Sequence, residues 1–163
     1  MAGVPIYKLI LVGEGEVGKT TWLRKLRTGE FENVYVPTLG VEVHGITIST
    51  NEGDIRFNIW DCSGVEAYRG LGSGYYINGD CAIVMGDLFN PLSMEKIPEW
   101  IEEVKSVIPN APLVVVGTKS DLVGNVNLED TIKISTMDED DIYSPLLALA
   151  RMLEGNMNLS LVG

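Results

Sequence analysis

A glycine-rich octapeptide near the N-terminus has the residue types and the spacing of a phosphate-binding loop. It fits the pattern G-x-x-x-x-G-K-[ST] and reads Gly13-Glu14-Gly15-Glu16-Val17-Gly18-Lys19-Thr20. In such a loop, backbone N–H groups and the N-terminus of a helix converge on phosphate oxygens. The glycines let the backbone approach closely. Lys19 is predicted to reach the β- and γ-phosphates, and the Thr20 hydroxyl is predicted to bind Mg²⁺.

The segments on either side of the octapeptide predict a strand, a loop and a helix in that order. Ile6–Val12 is an apolar run typical of a buried strand, and residues 20–27 are typical of a helix. This order is the context in which the motif has a mechanism, and it disfavours the alternative of a chance glycine-rich turn. Thr21, at the start of the helix, is a candidate contact to the α-phosphate. The motif does not specify which nucleotide is bound or whether it is cleaved.

A second motif, Asp61-Cys62-Ser63-Gly64, follows a predicted strand over Ile55–Trp60. An aspartate at a strand end can hold Mg²⁺ through water, and the Gly64 N–H can face a γ-phosphate. Thr38 lies between the first helix and the next predicted strand, and its hydroxyl is a candidate second ligand. We therefore predict a Mg²⁺ site formed by Thr20, Thr38 and Asp61.

A third motif, Thr118-Lys119-Ser120-Asp121, follows the apolar run Leu113–Gly117. A carboxylate can accept two hydrogen bonds from the N1 and N2 groups of guanine, a donor pair that adenine lacks. Asp121 is therefore predicted to select guanine, with the Lys119 stem along the base face. In isolation the tetrapeptide would indicate an ordinary polar turn, so the prediction depends on its place after the other two motifs. Phe31 is equally compatible with contact to the base edge and with packing in the core.

The remaining periodicity predicts the elements that position these motifs. Alternating residues over Val41–Ile48 and Ile55–Trp60, with a turn at Asn51–Asp54, predict an antiparallel hairpin. We expect further strands over Cys81–Met85, Leu113–Gly117 and Thr131–Ile134, and helices over Ser93–Ile108 and Ile142–Leu153. This alternation indicates one α/β domain over residues 1–163, with a mostly parallel sheet, one antiparallel hairpin strand and helices on both faces. Residues 120–130 lack a full helical period and predict a loop where a crossover helix would normally lie.

Composition limits the classes of partner. The 163 residues are 45% hydrophobic and 21% charged, which is typical of a globular domain and not of a disordered chain. A formal net charge of −11 argues against nucleic acid and favours basic partners, if any, although solubility alone also explains an acidic surface. There is no apolar run of transmembrane length, no signal peptide and no prenylation cysteine, so we expect no membrane anchor. Cys62 and Cys81 lack disulfide or metal spacing, which favours a reducing compartment.

The three motifs, in this order, resemble the Ras superfamily of small GTPases, and further segments are similar to its Ran family. These segments are Thr28–Glu32, Thr38–His44, Gly74–Ile77, Cys81–Ile83 and Leu149–Leu153, so the similarity extends over nearly the whole chain. The resemblance implies a P-loop NTPase fold with a six-stranded sheet and five helices. It also implies two switch segments, at about 31–41 and 64–78, that a γ-phosphate orders.

The same resemblance implies GTP or GDP with Mg²⁺ as ligands. Further nucleotide contacts are implied for Tyr35, Ser135, Thr136 and Met137. Nuclear transport receptors and Ran regulators are the implied partners, in the nucleus and the cytoplasm, and we expect a monomer.

Several residues depart from the family pattern. Val65 stands where the family's glutamine orients the attacking water, and valine can neither donate nor accept a hydrogen bond. Glu16 stands where a small residue is usual, so its carboxylate is expected to repel the phosphates unless it faces solvent. Thr118 replaces the usual asparagine, and Met137 replaces a lysine that would pack over the base. Because Val65 cannot orient water, we expect no convincing catalytic residue in this chain, and any hydrolysis would need a partner. We also expect the family's acidic C-terminal tail to be absent.

Three functions remain open. The favoured one is a Ran-like GTP-binding switch with very slow hydrolysis, because the residues expected to bind GTP and Mg²⁺ are present while the glutamine is missing. The alternative is a pseudo-GTPase interaction module or decoy with weak or absent nucleotide binding, which Glu16, Met137 and the acidic run Asp138–Asp141 suggest. An ATP-dependent phosphotransferase is disfavoured, because a basic lid-like segment is missing and Asp121 indicates guanine.

Overall fold

Seven strands form one sheet in the computed structural model, which describes residues 3–13, 19–26, 32–36, 41–62, 76–119, 131–134 and 141–162. The strands are β1 (Ile6–Val12), β2 (Glu32–Val36), β3 (Val41–Thr50), β4 (Gly53–Asp61), β5 (Cys81–Asp87), β6 (Leu113–Thr118) and β7 (Thr131–Lys133). They lie in the order β2-β3-β4-β1-β5-β6-β7. The β2–β3 and β3–β4 pairs are antiparallel and the other pairs are parallel. The predicted α/β class with a mostly parallel sheet is confirmed.

Helices cover both faces of this sheet, as the sequence predicts. The described helices are α1 (Lys19–Lys25), α2 (Pro91–Glu95), α3 (Ile97–Lys105) and α4 (Ser144–Glu154), with a 3₁₀ turn over Asp141–Tyr143 before α4. In β1, Leu9 and Leu11 pack with α1 and α4 on one face, whereas Ile10 and Val12 pack with α3 on the other. This division follows from the alternation of side chains along a strand. Every residue of β5 is buried, as expected for a central strand covered on both faces.

The strand β2 is an addition to the expected six-stranded sheet. The sequence assigns residues 31–41 to a switch segment, but Glu32–Val36 pairs antiparallel with β3, with Val34 opposite Val43 and Tyr35 opposite Glu42. The sheet therefore contains two antiparallel pairs where one hairpin is expected. A five-residue strand at a sheet edge depends on its partner, and its own short pattern does not reveal that partner.

The predicted helix over Ser93–Ile108 is in fact two helices, α2 and α3, that meet at Lys96. Asn90 caps α2, because its side chain accepts hydrogen bonds from the N–H groups of Leu92 at 3.0 Å and Ser93 at 3.4 Å. Pro98 has no N–H with which to continue the backbone ladder from the preceding turn, so the chain begins a second helix there. The predicted loop over residues 120–130 lies outside the described residues.

Candidate nucleotide-binding site

Lys19, the last but one residue of the glycine-rich octapeptide, is buried at the start of α1. Its side chain is 2% exposed, and its Nζ donates to the carbonyl oxygen of Gly13 at 2.6 Å. Gly13 directly follows β1, so the lysine side chain reaches back from the start of α1 to the end of that strand. A buried ammonium group is stable only when hydrogen bonds and negative charge surround it. This placement suits a phosphate chain beside the lysine.

Asp61 lies beside the end of β1, because it ends the neighbouring strand β4. In the parallel β1–β4 pair, Asp61 is opposite Leu11, two residues before Gly13. The Asp61 residue is 8% exposed, so its carboxylate is largely withdrawn from water. Carboxylate oxygens are ligands that Mg²⁺ prefers, and Mg²⁺ in phosphate sites takes few protein carboxylates together with phosphate oxygens and water. The Asp61 and Lys19 side chains thus fit a Mg²⁺–phosphate group.

Thr118 and Lys119, which begin the third motif, lie at the end of β6. Thr118 is buried and its Oγ1 donates to the Gly86 carbonyl oxygen at 3.2 Å. The Leu88 N–H donates to the Thr118 carbonyl oxygen at 3.1 Å, so the ends of β5 and β6 are joined by two hydrogen bonds here. Lys119 follows with φ of 61° and its Nζ lies 2.7 Å from Asp87 Oδ2.

The carboxyl ends of four neighbouring strands therefore bring the described motif residues to one edge of the sheet. Gly13 follows β1, Asp61 ends β4, Asp87 ends β5 and Thr118 ends β6. The strand register brings these residues to the same level of the sheet, since Asp61 is opposite Leu11 and Thr118 is opposite Asp87. In open α/β sheets, ligands bind in the crevice at this edge. The sequence predicted three of these positions, and it missed Asp87, whose only signal is an acidic residue after an apolar strand.

The structure describes only some of the other residues predicted to contact the nucleotide. Thr21, the candidate α-phosphate contact, lies in α1 with an exposed side chain. Thr20 lies in α1 and Tyr35 in β2, but only the backbone of each is described. The remaining predicted site residues lie outside the described residues and stay predictions: Glu14, Gly15, Glu16, Val17, Gly18, Phe31, Thr38, Gly64, Val65, Asp121, Ser135, Thr136 and Met137.

Lys8, in β1, contacts the residues that precede β5 and a tryptophan of the neighbouring strand β4. Its Nζ lies 3.9 Å from the centroid of the Trp60 ring and donates to the Ile77 carbonyl oxygen at 2.8 Å. The Lys8 N–H also donates to Asp80 Oδ2 at 2.8 Å. Burial lowers the pKa of the Lys8 ammonium, and the neighbouring Cys62 and Asp80 oppose that shift. Sequence reasoning missed this contact, because it joins residues about seventy positions apart.

The two thiols are poorly suited to nucleophilic chemistry. Cys62, next to Asp61, is buried, and burial raises the pKa of its thiol to about 12, with a further contribution from the Asp61 carboxylate. Burial likewise raises the pKa of the Cys81 thiol. Both cysteines are free. Because the thiolate is the reactive form, neither side chain is a candidate nucleophile.

Comparison with known protein families matches residues 8–141 to the Ras family. This range includes every motif described above and more than half of the chain, and the family binds guanine nucleotides with Mg²⁺. In the part of the chain that the structure describes, no helix is long and apolar enough to cross a membrane. The motifs, their common edge of the sheet and this match agree, and the chain belongs to the Ras family of small GTPases.

Proposed function

We propose that the chain is a Ran-like GTP-binding switch with little or no intrinsic GTP hydrolysis. The observation that supports it best is the burial of Lys19, whose Nζ lies 2.6 Å from the Gly13 carbonyl oxygen, at the sheet edge that also carries Asp61 and Lys119. A chain of net charge −11 repels a polyanion at long range, so nucleotide binding depends on such locally placed cations.

Each site residue has a definite role in this proposal. Lys19 neutralises charge on the β- and γ-phosphates, while Thr20, Thr38 and Asp61 hold Mg²⁺, which neutralises developing phosphate charge when bound. Asp121 reads the guanine edge, and Lys119 lies along the base face. With Thr38 and Gly64 present, a γ-phosphate has partners on both switch segments, which is what a nucleotide-dependent switch requires.

Slow hydrolysis follows from Val65. A water molecule attacking the γ-phosphate needs a polar group to orient it, and the isopropyl side chain of valine offers none. The GTP form is therefore expected to persist, and hydrolysis is expected to require a partner protein.

The proposed cellular role rests on the similarity of five sequence segments to the Ran family. A protein of this kind binds nuclear transport receptors in its GTP form and moves between nucleus and cytoplasm. Ala67 and Gly72 stand where that family carries basic side chains used by partners. Nucleotide-dependent capture of transport receptors on immobilised protein tests this proposed role.

The rival proposal is a pseudo-GTPase interaction module or decoy with weak or absent nucleotide binding. Glu16 within the phosphate loop favours it, because a carboxylate beside phosphates costs affinity. The two proposals differ in how tightly GTP binds, and Glu16→Gly measures how far the carboxylate weakens that binding. An increase of GTP affinity by more than about 100-fold, or 2.7 kcal/mol, would favour the pseudo-GTPase.

Phosphate release from the GTP-loaded protein tests the proposed slow hydrolysis. Val65→Gln is expected to raise the single-turnover rate at least about tenfold, because the glutamine can orient water, and Val65→Leu serves as the matched control with no change. A wild-type rate equal to that of the Val65→Gln variant would contradict the proposal.

A further inference from the structure

Asp87 uses both of its carboxylate oxygens at the edge of the sheet where the nucleotide is proposed to bind. Oδ1 accepts a hydrogen bond from the Phe89 N–H at 2.8 Å, and Oδ2 lies 2.7 Å from Lys119 Nζ. The Asp87 side chain is 7% exposed and that of Lys119 is 42% exposed. A buried carboxylate thus holds the ammonium group of a lysine whose side chain is still partly exposed.

The carboxylate itself is held firmly in place. The Asp87 N–H donates to Ser93 Oγ at 3.0 Å, and hydrogen bonds from Thr118 to Gly86 and from Leu88 to Thr118 join the two strand ends on either side of it. Asp87 is also the last residue of the fully buried strand β5. The position of its Oδ2 is therefore set by the fold and not by the lysine.

Lys119 is constrained at both ends. Its backbone has φ of 61°, a conformation that residues other than glycine seldom adopt, and its Nζ is fixed by Asp87. The four methylene groups between these two points lose most of their rotational freedom before any ligand binds. A lysine without such a partner would lose that side-chain entropy on binding.

We propose that Asp87 is a positioning residue for guanine-nucleotide binding, which holds the Lys119 stem in the place where the purine base lies against it. This inference rests on the proposed function. Asp87 touches no part of the ligand in this account and acts only through Lys119. A purely structural role, capping the turn at Phe89, is the alternative.

A double-mutant cycle separates the two roles. GDP dissociation constants are measured by calorimetry for the wild type, Asp87→Asn, Lys119→Met and the double variant. Asparagine keeps the oxygen that accepts from Phe89, so the turn is preserved while the charge that holds Lys119 is lost. Asp87→Asn is expected to weaken GDP binding about tenfold in the wild-type background and less than about twofold in the Lys119→Met background.

Equal losses in the two backgrounds, or an Asp87→Asn protein that binds GDP as the wild type does, would overturn the inference. Asp54→Asn is the matched control, because it makes the same change at an exposed aspartate, at the opposite end of β4 from Asp61, and is expected to leave GDP affinity unchanged. Thermal unfolding of all proteins without nucleotide records any structural effect separately.

A comparison of GDP with inosine diphosphate supplies a further check. Since the base face is common to both ligands, Asp87→Asn is expected to weaken GDP and inosine diphosphate by the same factor. A loss confined to GDP would place the effect at the base edge and contradict a role through the Lys119 stem. If the wild type does not bind GDP, the proposed function itself is contradicted. If the wild type binds GDP and Asp87→Asn binds it equally well, only this inference is contradicted.

Discussion

The Lys19 ammonium group and the Gly13 carbonyl oxygen, which belong to residues six positions apart along the chain, are 2.6 Å apart and buried. The lysine is thus bonded to the residue that directly follows β1, and its charge lies at the sheet edge that Asp61 shares. In the proposed function this hydrogen bond holds the amine where it would neutralise phosphate charge.

Replacement of Lys19 by methionine removes this charge and leaves a stem of similar size. We expect GDP affinity to fall at least about 100-fold, or 2.7 kcal/mol, because charge-assisted hydrogen bonds to phosphate are lost. Titration calorimetry measures the change. Lys25→Met is the control, because Lys25 is an exposed lysine on the same helix. A Lys19→Met protein within threefold of the wild type would show that the loop does not bind phosphate through this residue.

Trp22 joins the helix that follows the phosphate loop to the C-terminal part of the chain. Its ring is fully buried, and its Nε1 donates to the Ile142 carbonyl oxygen at 2.7 Å. Trp22→Phe is expected to lower the free energy of unfolding by about 2–4 kcal/mol, because a hydrogen bond is lost and a cavity remains. Urea denaturation with an unchanged m-value checks it. A loss below about 0.5 kcal/mol, typical of surface sites, would contradict the described packing.

The Cys62 thiol should be unreactive in the folded protein. With its pKa raised from 9.0 to about 12, the thiolate fraction at pH 8 is about 10⁻⁴, and the side chain is also buried. Because the folded pKa lies above the unfolded one, this group's contribution to stability is complete below pH 9 and is lost as the pH rises towards 12. A thiol reagent at pH 8 should label both cysteines in urea and neither in the native protein. Rapid native labelling of Cys62 would contradict its burial.

Residues after the end of the family match complete the core. The match ends at residue 141, yet Leu159 is 2% exposed and its carbonyl oxygen accepts a hydrogen bond from Arg151 Nε at 2.9 Å. Leu159→Ala is expected to cost about 2–4 kcal/mol of unfolding free energy. Leu161→Ala, at a residue 38% exposed, is the control and should cost less than about 0.5 kcal/mol. Equal effects in urea denaturation would mean that the C-terminal segment does not pack as described.

The sequence pattern predicted those strands and turns whose conformation depends on residues close together in the chain. The bounds of β1 follow from one apolar run between Pro5 and Gly13. The β3–β4 hairpin follows from alternation on both sides of a turn, with Gly53 at φ of 115° where a glycine is needed. The order of the three motifs predicted which strand ends meet, because parallel strands place their carboxyl ends at one edge.

The features that were missed depend on partners distant in sequence. The strand β2 forms only against β3, and the ion pair of Asp87 with Lys119 joins residues thirty-two positions apart. Neither residue of that pair has a local signal that identifies the other. The break between the two helices at Lys96 was missed for another reason. The sequence shows Pro98, but whether a proline ends a helix depends on whether the preceding turn can end in a cap.

The nucleotide released from purified protein tests the central claim most directly. The protein is denatured after purification in Mg²⁺-containing buffer, and the released nucleotides are separated by chromatography and quantified against the protein. We predict close to stoichiometric guanine nucleotide, with GTP in excess over GDP because Val65 cannot orient water. Protein that releases no guanine nucleotide and does not bind added GTP at micromolar concentration would contradict the account.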